Sequence, residues 1–238
     1  MTAHERSGAD VGVEPELAAE FVGLVEGTNV PTLRTNVTRF WRGHHDHPDA
    51  VGAVLMDLWS RCPGTSGTTV RMGVAITLGP VAVTRPEAMS FLLGVVPGDA
   101  DWRVQEALAK GFDWYCAESG WATAVPMIEA WITHNHVNVR RAASEGPRVW
   151  TKRPHFDKHP ELAIELLGRL RADREPYVRK SVANALSDVS KTHPDLTLPA
   201  LSEWSREPNA AWVVRNACRH LVKTHPVATE PILAATKG

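Results

Sequence analysis

Residues 177–189 read YVRKSVANALSDV, and this stretch decides the fold of the chain. Its apolar residues recur every three or four positions, which is the spacing of an apolar stripe along one face of an α-helix. They are Val178, Val182, Ala185, Leu186 and Val189. The polar residues between them leave the opposite face free to meet solvent or a partner. The stretch therefore predicts a helix that is buried on one side only.

The same opening, a valine followed by arginine or glutamine and then by small and apolar residues, begins four other segments. Together the five segments start at Val70, Val104, Val139, Val178 and Val214. Successive starts lie 34, 35, 39 and 36 residues apart. Spacing this regular indicates an internal repeat rather than chance similarity.

A second helix precedes the Val-Arg helix in each repeat. Four of these first helices begin with a proline and an acid, which suit the first turn of a helix. The pairs are Pro48-Asp49, Pro86-Glu87, Pro160-Glu161 and Pro194-Asp195. Paired helices that repeat every ~34–40 residues predict an all-α, HEAT-like solenoid, because one pair alone cannot bury its apolar side. In such a solenoid the second helices line the concave face.

We expect the chain to form one solenoid domain over residues 1–238. Residues 1–45 form N-terminal capping helices, residues 46–225 five repeats, and residues 226–238 a C-terminal tail. The three cysteines are far apart in the sequence, and neither a secretory signal nor a spanning apolar stretch is visible. The sequence therefore predicts a cytoplasmic protein and excludes the secreted, membrane and fibrous classes.

Charge is distributed unevenly along the chain. Residues 1–130 carry 9 basic and 16 acidic residues, whereas residues 131–238 carry 17 basic and 11 acidic ones. This asymmetry predicts that an anionic partner meets the C-terminal part, since a curved row of cations matches a phosphate backbone. The candidate DNA-binding residues are Arg140, Arg141, Arg148, Lys152, Arg153, Arg179, Lys180, Arg215 and Arg219, with Trp150 as an aromatic that could stack on a base. An alternative for Arg140, Arg179 and Arg215, which directly follow the valine, is structural bonding between repeats.

Three carboxylates belong to the same predicted face of the second helices: Glu106, Glu145 and Asp188. They are candidates for electrostatic stabilisation of a developing positive charge. The alternative is an ordinary solvated helix surface with ion pairs such as Arg141–Glu145. No nucleotide-binding loop, serine-hydrolase motif or convincing metal-ligand spacing is found, so no cofactor and no metal are expected.

The segment from Trp131 to Pro194 resembles the HEAT-like-repeat DNA glycosylases of the AlkC/AlkD superfamily, and the AlkC branch in particular. Residues 139–146, VRRAASEG, resemble that branch's Arg-Arg-x-x-Ser-Glu-Gly signature. Residues 177–184, YVRKSVAN, resemble its Tyr-Val-Arg-[Arg/Lys]-Ser-Val-x-Asn signature. The chain departs from the branch at residues 147–152, where PRVWTK replaces Arg-Pro-Arg-Leu-Pro-Trp.

The resemblance implies a metal-independent, monofunctional DNA glycosylase that excises alkylated purines of the 3-methyladenine or 7-methylguanine type. It implies that Glu145, Asp188 and Glu106 are the catalytic carboxylates and that Trp150 approaches the lesion. The expected partner is double-stranded DNA containing alkylated bases, bound by a monomer that is associated with the nucleoid and needs neither a membrane nor an obligate protein partner. Two other functions stay open: a non-catalytic protein that binds branched or damaged DNA, and a protein-binding scaffold.

Overall fold

The computed structural model describes residues 10–146 and 154–237, and it contains two compact units that meet in the sequence between Ser119 and Gly120. Helices form all the regular secondary structure of the described residues, without strands, so the all-α prediction is confirmed. The predicted repeats are shared between these two units, and the assignment of residues 1–238 to one solenoid domain stays a prediction. None of the described helices combines the length and the apolar character that crossing a membrane requires.

The first unit holds six α-helices. They are α1 (Asp10–Val25), α2 (Val30–His44), α3 (Pro48–Arg61), α4 (Thr68–Val81), α5 (Pro86–Gly94) and α6 (Trp102–Ser119). The second unit holds α7 (Trp121–Ile132), α8 (Val137–Glu145), α9 (Pro154–Lys158), α10 (Pro160–Gly168), α11 (Pro176–Val189), α12 (Pro194–Trp204), α13 (Ala211–Ala217), α14 (Leu221–Thr224) and α15 (Pro226–Ala235). The segment predicted as a C-terminal tail thus contains a helix, α15.

The predicted start signals coincide with helix starts. Pro48, Pro86, Pro160 and Pro194 are the first residues of α3, α5, α10 and α12. The N–H groups in the first turn of a helix have no intrahelical acceptor. Proline, which lacks an N–H, therefore loses no hydrogen bond at this position. The five repeat valines lie in α4, α6, α8, α11 and α13, and each is almost completely buried. In each repeat, the repeat valine therefore marks the side of the second helix that faces the core.

The packing in the first unit centres on α4. This helix is buried along its length and packs against α3, α2 and α6. The approach of α4 to α6 depends on glycine, because a Cβ at Gly79 would collide with the carbonyl of Gly111. A larger residue at either position would push the two helix backbones apart.

The second unit consists of two helix layers. Its second helices α8, α11 and α13 pack side by side, with α11 in the middle, and the first helices α7, α10 and α12 form the other layer. Trp131 and Trp204, which the sequence assigned to the core, are buried in this unit. The layer of second helices is the part of the unit that carries the candidate site.

Candidate functional site

Arg140, directly after the repeat valine of α8, is held inside the second unit. Its Nε and Nη2 donate to the two carboxylate oxygens of Asp173 at 2.7 and 3.0 Å. Its Nη1 donates to the main-chain carbonyls of His134 and Asn135, at 3.0 and 2.9 Å. The side chains of Arg140 and Asp173 are 9% and 7% exposed. Arg140 thus fastens the turn before its own helix to the turn of the following repeat.

Asp173 is ionised by this arrangement. Burial by itself raises the pKa of Asp173, but the hydrogen bond and charge of Arg140, the main-chain N–H of Glu175 and the charge of Arg174 together outweigh burial, so the pKa is lowered. The carboxylate also accepts the main-chain N–H of Glu175 at 2.9 Å, just before α11 begins. The buried ion pair of Arg140 and Asp173 therefore links the turn before α8 to the turn before α11.

The same position makes related contacts in other repeats. Arg71 donates to Asp99 at 2.7 Å and to the carbonyls of Cys62 and Gly64. Gln105 donates to the carbonyl of Asp99 at 2.9 Å. We call this set, which consists of Arg71, Gln105, Arg140 and Arg179, the turn clamp.

Arg179 and Arg215 also bond within the protein. Arg179 Nη1 donates to the carbonyls of Asp173 and Arg174 at 2.6 and 3.0 Å. Arg215 Nη1 donates to the carbonyl of Thr236 at 2.8 Å. These bonds, with those of Arg140, support the structural alternative for all three residues. Arg140 is buried, whereas Arg215 is exposed, and the predicted contact of these three residues with DNA stays a prediction.

The next position in each helix faces outward. Lys180 is exposed on α11, and Arg141 is partly exposed on α8. The Arg141 guanidinium lies 5.9 Å from the ring centroid of Tyr177, whose side chain is 70% exposed. A cation over an aromatic face is held electrostatically by the ring. The two predicted basic residues therefore lie at the surface, and the Arg141 guanidinium contacts an aromatic ring that the sequence analysis did not single out.

Two of the predicted carboxylates belong to the neighbouring helices α8 and α11. The helices touch through Ser144 Oγ and Ser181 Oγ at 2.9 Å. Glu145 is the last residue of α8 and is partly exposed. Asp188, two turns after Ser181, has a side chain that is 25% exposed and accepts a hydrogen bond from Lys191 Nζ at 2.6 Å. Each carboxylate can thus be reached from outside while it remains partly shielded from water.

The turn that follows α13 adds Arg219, which donates to Asn184 Oδ1 at 2.6 Å. This bond places Arg219 on the side of α11 that carries Asn184. The name outer surface is used below for one set of residues: Arg141, Glu145, Tyr177, Lys180, Asn184, Asp188 and Arg219. The surface combines cations and carboxylates. Its cations can bind an anionic polymer, and its carboxylates can stabilise a positive charge that develops at one point of that polymer.

The remaining predicted residues lie elsewhere. Glu106 is a partly exposed residue of α6, in the first unit. Arg148, Trp150, Lys152 and Arg153 lie outside the described residues. No three His, Cys, Asp or Glu side chains gather into a possible metal site within residues 10–146 and 154–237.

The sequence analysis missed Tyr177 and Asp173. Tyr177 stands in the quoted YVRKSVAN stretch, and its position one turn before Lys180 could have placed it on the same face. Asp173 gave no such signal, because its partner Arg140 is 33 residues away in the sequence.

Comparison with known proteins places the chain among DNA repair proteins. The sequence model of a protein family described as "DNA alkylation repair enzyme" matches residues 23–221. The solved structure of AlkD2 from Streptococcus mutans is 31% identical, with a TM-score of 0.74, and the alignment covers 88% of this chain and 98% of that one. The structure of smu.31 from Streptococcus mutans UA159 is 30% identical, with a TM-score of 0.69 and the same coverage.

A shorter match is found to YhaZ, an uncharacterized protein of Bacillus subtilis strain 168. It is 43% identical over 84 residues, which make up 34% of this chain and 24% of YhaZ. The chain thus matches about a quarter of that relative's length. The family and structural matches confirm the resemblance predicted from the VRRAASEG and YVRKSVAN segments.

Proposed function

The chain belongs to the DNA alkylation repair enzyme family, and from this premise we propose that it is a DNA glycosylase. Its substrate is an alkylated purine of the 3-methyladenine or 7-methylguanine type in duplex DNA, and the reaction uses no metal. The observation that carries the proposal is the outer surface, where the partly exposed Asp188 is hydrogen-bonded to Lys191 and shares helix α11 with the exposed Lys180.

The reaction needs little beyond charge and a positioned water. An alkylated purine carries positive charge, so the base leaves with the electron pair of its bond to C1′ as a neutral molecule. The sugar then becomes oxocarbenium-like, and a carboxylate beside it stabilises that charge. Water adds to C1′, and its proton passes to a carboxylate acting as a weak general base. Asp188 is the carboxylate to which we assign the main role, with Glu145 and Glu106 as further catalytic candidates.

Binding of the duplex is assigned to the exposed cations. Arg141, Lys180 and Arg219 neutralise phosphates and release counterions, which makes binding weaken as salt rises. Arg148, Trp150, Lys152 and Arg153 belong to the same proposal, with Trp150 approaching the lesion. The three residues bonded within the protein, Arg140, Arg179 and Arg215, contribute by holding the helices in place.

Single-turnover base release tests the catalytic assignment. Methylated duplex DNA is incubated with the wild-type protein and with Asp188→Asn, and released bases are identified by mass. If the carboxylate supplies a few kcal/mol in the transition state, release should fall by about 10²-fold or more while folding and DNA affinity survive. Asp195→Asn, an exposed aspartate in the first turn of α12, is the matched control and should release bases at the wild-type rate.

The outcomes separate the candidate functions. Equal rates for wild type and Asp188→Asn would remove Asp188 from catalysis and leave it as the ion-pair partner of Lys191. Wild-type protein that binds DNA in a salt-dependent way but releases no base would point to the non-catalytic DNA-binding function. A wild-type protein that neither binds DNA in a salt-dependent way nor releases a base would favour the protein-scaffold function.

A further inference from the structure

Helix α2 in the first unit has one face in the core and one face covered with arginine. Leu33, Val37 and Phe40 are buried, and the Phe40 ring meets the Phe21 ring of α1 edge-on at 4.9 Å. The opposite face lines an open groove of about 600 Å³. The residues of this groove are Pro31, Arg34, Thr35, Thr38, Arg39 and Arg42.

The charge on this face is unbalanced. Helix α2 contains three arginines and no aspartate or glutamate. The other described arginines of the first unit all pair with aspartate: Arg61 with Asp57, Arg71 with Asp99, Arg85 with Asp49 and Arg103 with Asp101. Within the described part of the unit, no carboxylate pairs with Arg34, Arg39 or Arg42.

This imbalance is unexpected for an ordinary solvated helix. Residues 1–119 carry 9 basic and 15 acidic residues, so carboxylates are plentiful in this part of the chain. Solvated helix surfaces commonly mix both signs at i,i+4 spacing. Helix α2 carries three arginines and no acid on this face, although the unit as a whole is acidic, which indicates a surface kept positive for an anionic partner.

The donors of the groove are the arginines. Thr35 and Thr38 turn their hydroxyls onto the helix and donate to the carbonyls of Pro31 and Arg34 at 3.3 and 2.8 Å. Arg34 and Arg42 are eight residues apart, about 12 Å along the helix axis. Each DNA strand carries one phosphate per about 3.4 Å of duplex axis, so the two guanidinium groups reach different phosphates of one strand.

One end of the groove is marked by a carboxylate. Beyond Thr38 and Arg42 it continues into a cleft of about 340 Å³ that also contains Trp114 and Glu118 of α6. Trp114 Nε1 donates to Glu118 Oε1 at 3.1 Å and holds the carboxylate at this end. A phosphate is repelled there, so the anion-binding stretch runs from Arg34 to Arg42.

We propose that this α2 groove binds the phosphodiester backbone of DNA away from the lesion, as a second anchoring site in the first unit. The inference rests on the proposed function for its partner, because both sites hold the same DNA. It adds a contact in the half of the chain whose net charge is negative.

The test measures binding to an undamaged duplex over a series of salt concentrations. The variant Arg34→Gln/Arg42→Gln removes two charges and retains good helix formers, so the helix should form normally. The slope of log affinity against log salt should become smaller by about two units, one for each lost phosphate contact. The control Arg61→Gln/Arg85→Gln removes two arginines of the same unit that pair with aspartates, and should leave the slope unchanged.

An unchanged slope for Arg34→Gln/Arg42→Gln in folded protein would overturn the groove, as would an equal decrease in the control. Failure of the proposed function gives a different result, since wild-type protein would then release no base from methylated DNA. If the wild-type protein releases bases and the slope of Arg34→Gln/Arg42→Gln is unchanged, only the proposed DNA binding by the α2 groove is refuted. If the slope of this variant is smaller but the wild-type protein releases no base, DNA binding by the groove is supported and only the glycosylase activity is refuted.

Discussion

Arg140 and Arg141 are adjacent in the chain, yet they belong to two regions that work differently. Arg140 is part of the turn clamp, where its donors meet a buried aspartate and two carbonyls. Arg141 is on the outer surface, partly exposed and 5.9 Å from the Tyr177 ring. The 100° turn between successive helical residues places one side chain between repeats and the other toward solvent.

The comparison teaches that a basic residue in a repeat helix cannot be assigned to DNA by charge alone. In α11 the same division separates Arg179, which donates to two turn carbonyls, from the exposed Lys180. Clamp residues are expected to govern stability and outer-surface residues to govern binding.

The largest effect is expected for Arg140→Ala. The substitution leaves the Asp173 carboxylate buried without its cation, and breaking one partner of a buried pair costs about 3–5 kcal/mol. Arg141→Ala is the neighbouring control, and its free energy of unfolding should stay within about 0.5 kcal/mol of the wild type. Denaturant unfolding measures both, and equal losses would abolish the distinction between clamp and outer surface.

A smaller effect is expected in α11. Arg179→Ala removes charged hydrogen bonds to two carbonyls of a partly exposed turn, and should cost about 1.5 kcal/mol. Lys180→Ala should leave stability unchanged while reducing the salt slope of duplex binding by about one unit. If Lys180→Ala lowered stability and left the slope alone, the two residues would have been assigned to the wrong regions.

Gln105 tests whether the clamp requires charge. Its single hydrogen bond to the carbonyl of Asp99 is neutral, so Gln105→Ala should reduce the free energy of unfolding by only about 0.5–1.5 kcal/mol. The measurement is thermal or denaturant unfolding beside Arg140→Ala. A loss as large as that of Arg140→Ala would show that the clamp depends on position in the repeat and not on charge.

The smallest expected effect concerns pH and the start of α8. His136 Nδ1 accepts the main-chain N–H of Asn138 at 3.2 Å, which requires a neutral nitrogen. Burial lowers the pKa of His136, and His134 and Arg140 lower it further. As pH falls, His136 is therefore protonated in the unfolded chain before it is protonated in the folded protein. Its contribution to the free energy of unfolding is complete above about pH 6.5 and decreases below it.

His136→Asn provides the comparison for that effect, because asparagine caps a helix without titrating. Between pH 7 and pH 5 the free energy of unfolding should decrease by up to about 1 kcal/mol more in the wild type than in the variant. The lowered pKa of Asp173 does not interfere, since its contribution is lost only below its unfolded pKa of about 3.9. Parallel pH profiles for the two proteins would contradict the role of His136.

Much of the helical architecture could be predicted because it depends on local patterns. The proline starts of α3, α5, α10 and α12 and the buried valine of each repeat are visible in a window of a few residues. The division into two units was not predicted, since it depends on how densely distant helices pack against one another.

The candidate site could be predicted only in part. Helical spacing placed Lys180 and Asp188 on the polar side of α11, where both are partly or fully exposed. It also allowed an ion pair of Asp188 with Lys180 or Lys191, and the structure shows the pair with Lys191. It did not reveal that α2, taken for a capping helix, carries arginines without carboxylate partners in the described part of its unit, because that depends on which charged groups are close in space.

The sequence by itself determined the repeat, the buried side of each second helix and the order of residues along it, because these follow from the periodicity of apolar side chains. Only the tertiary structure decided which arginine is buried as a clamp and which lies at the surface. That choice depends on partners such as Asp173, which is 33 residues from Arg140 in sequence and 2.7 Å from it in space. A charge acts according to its burial and its neighbours, and both are set when distant turns meet.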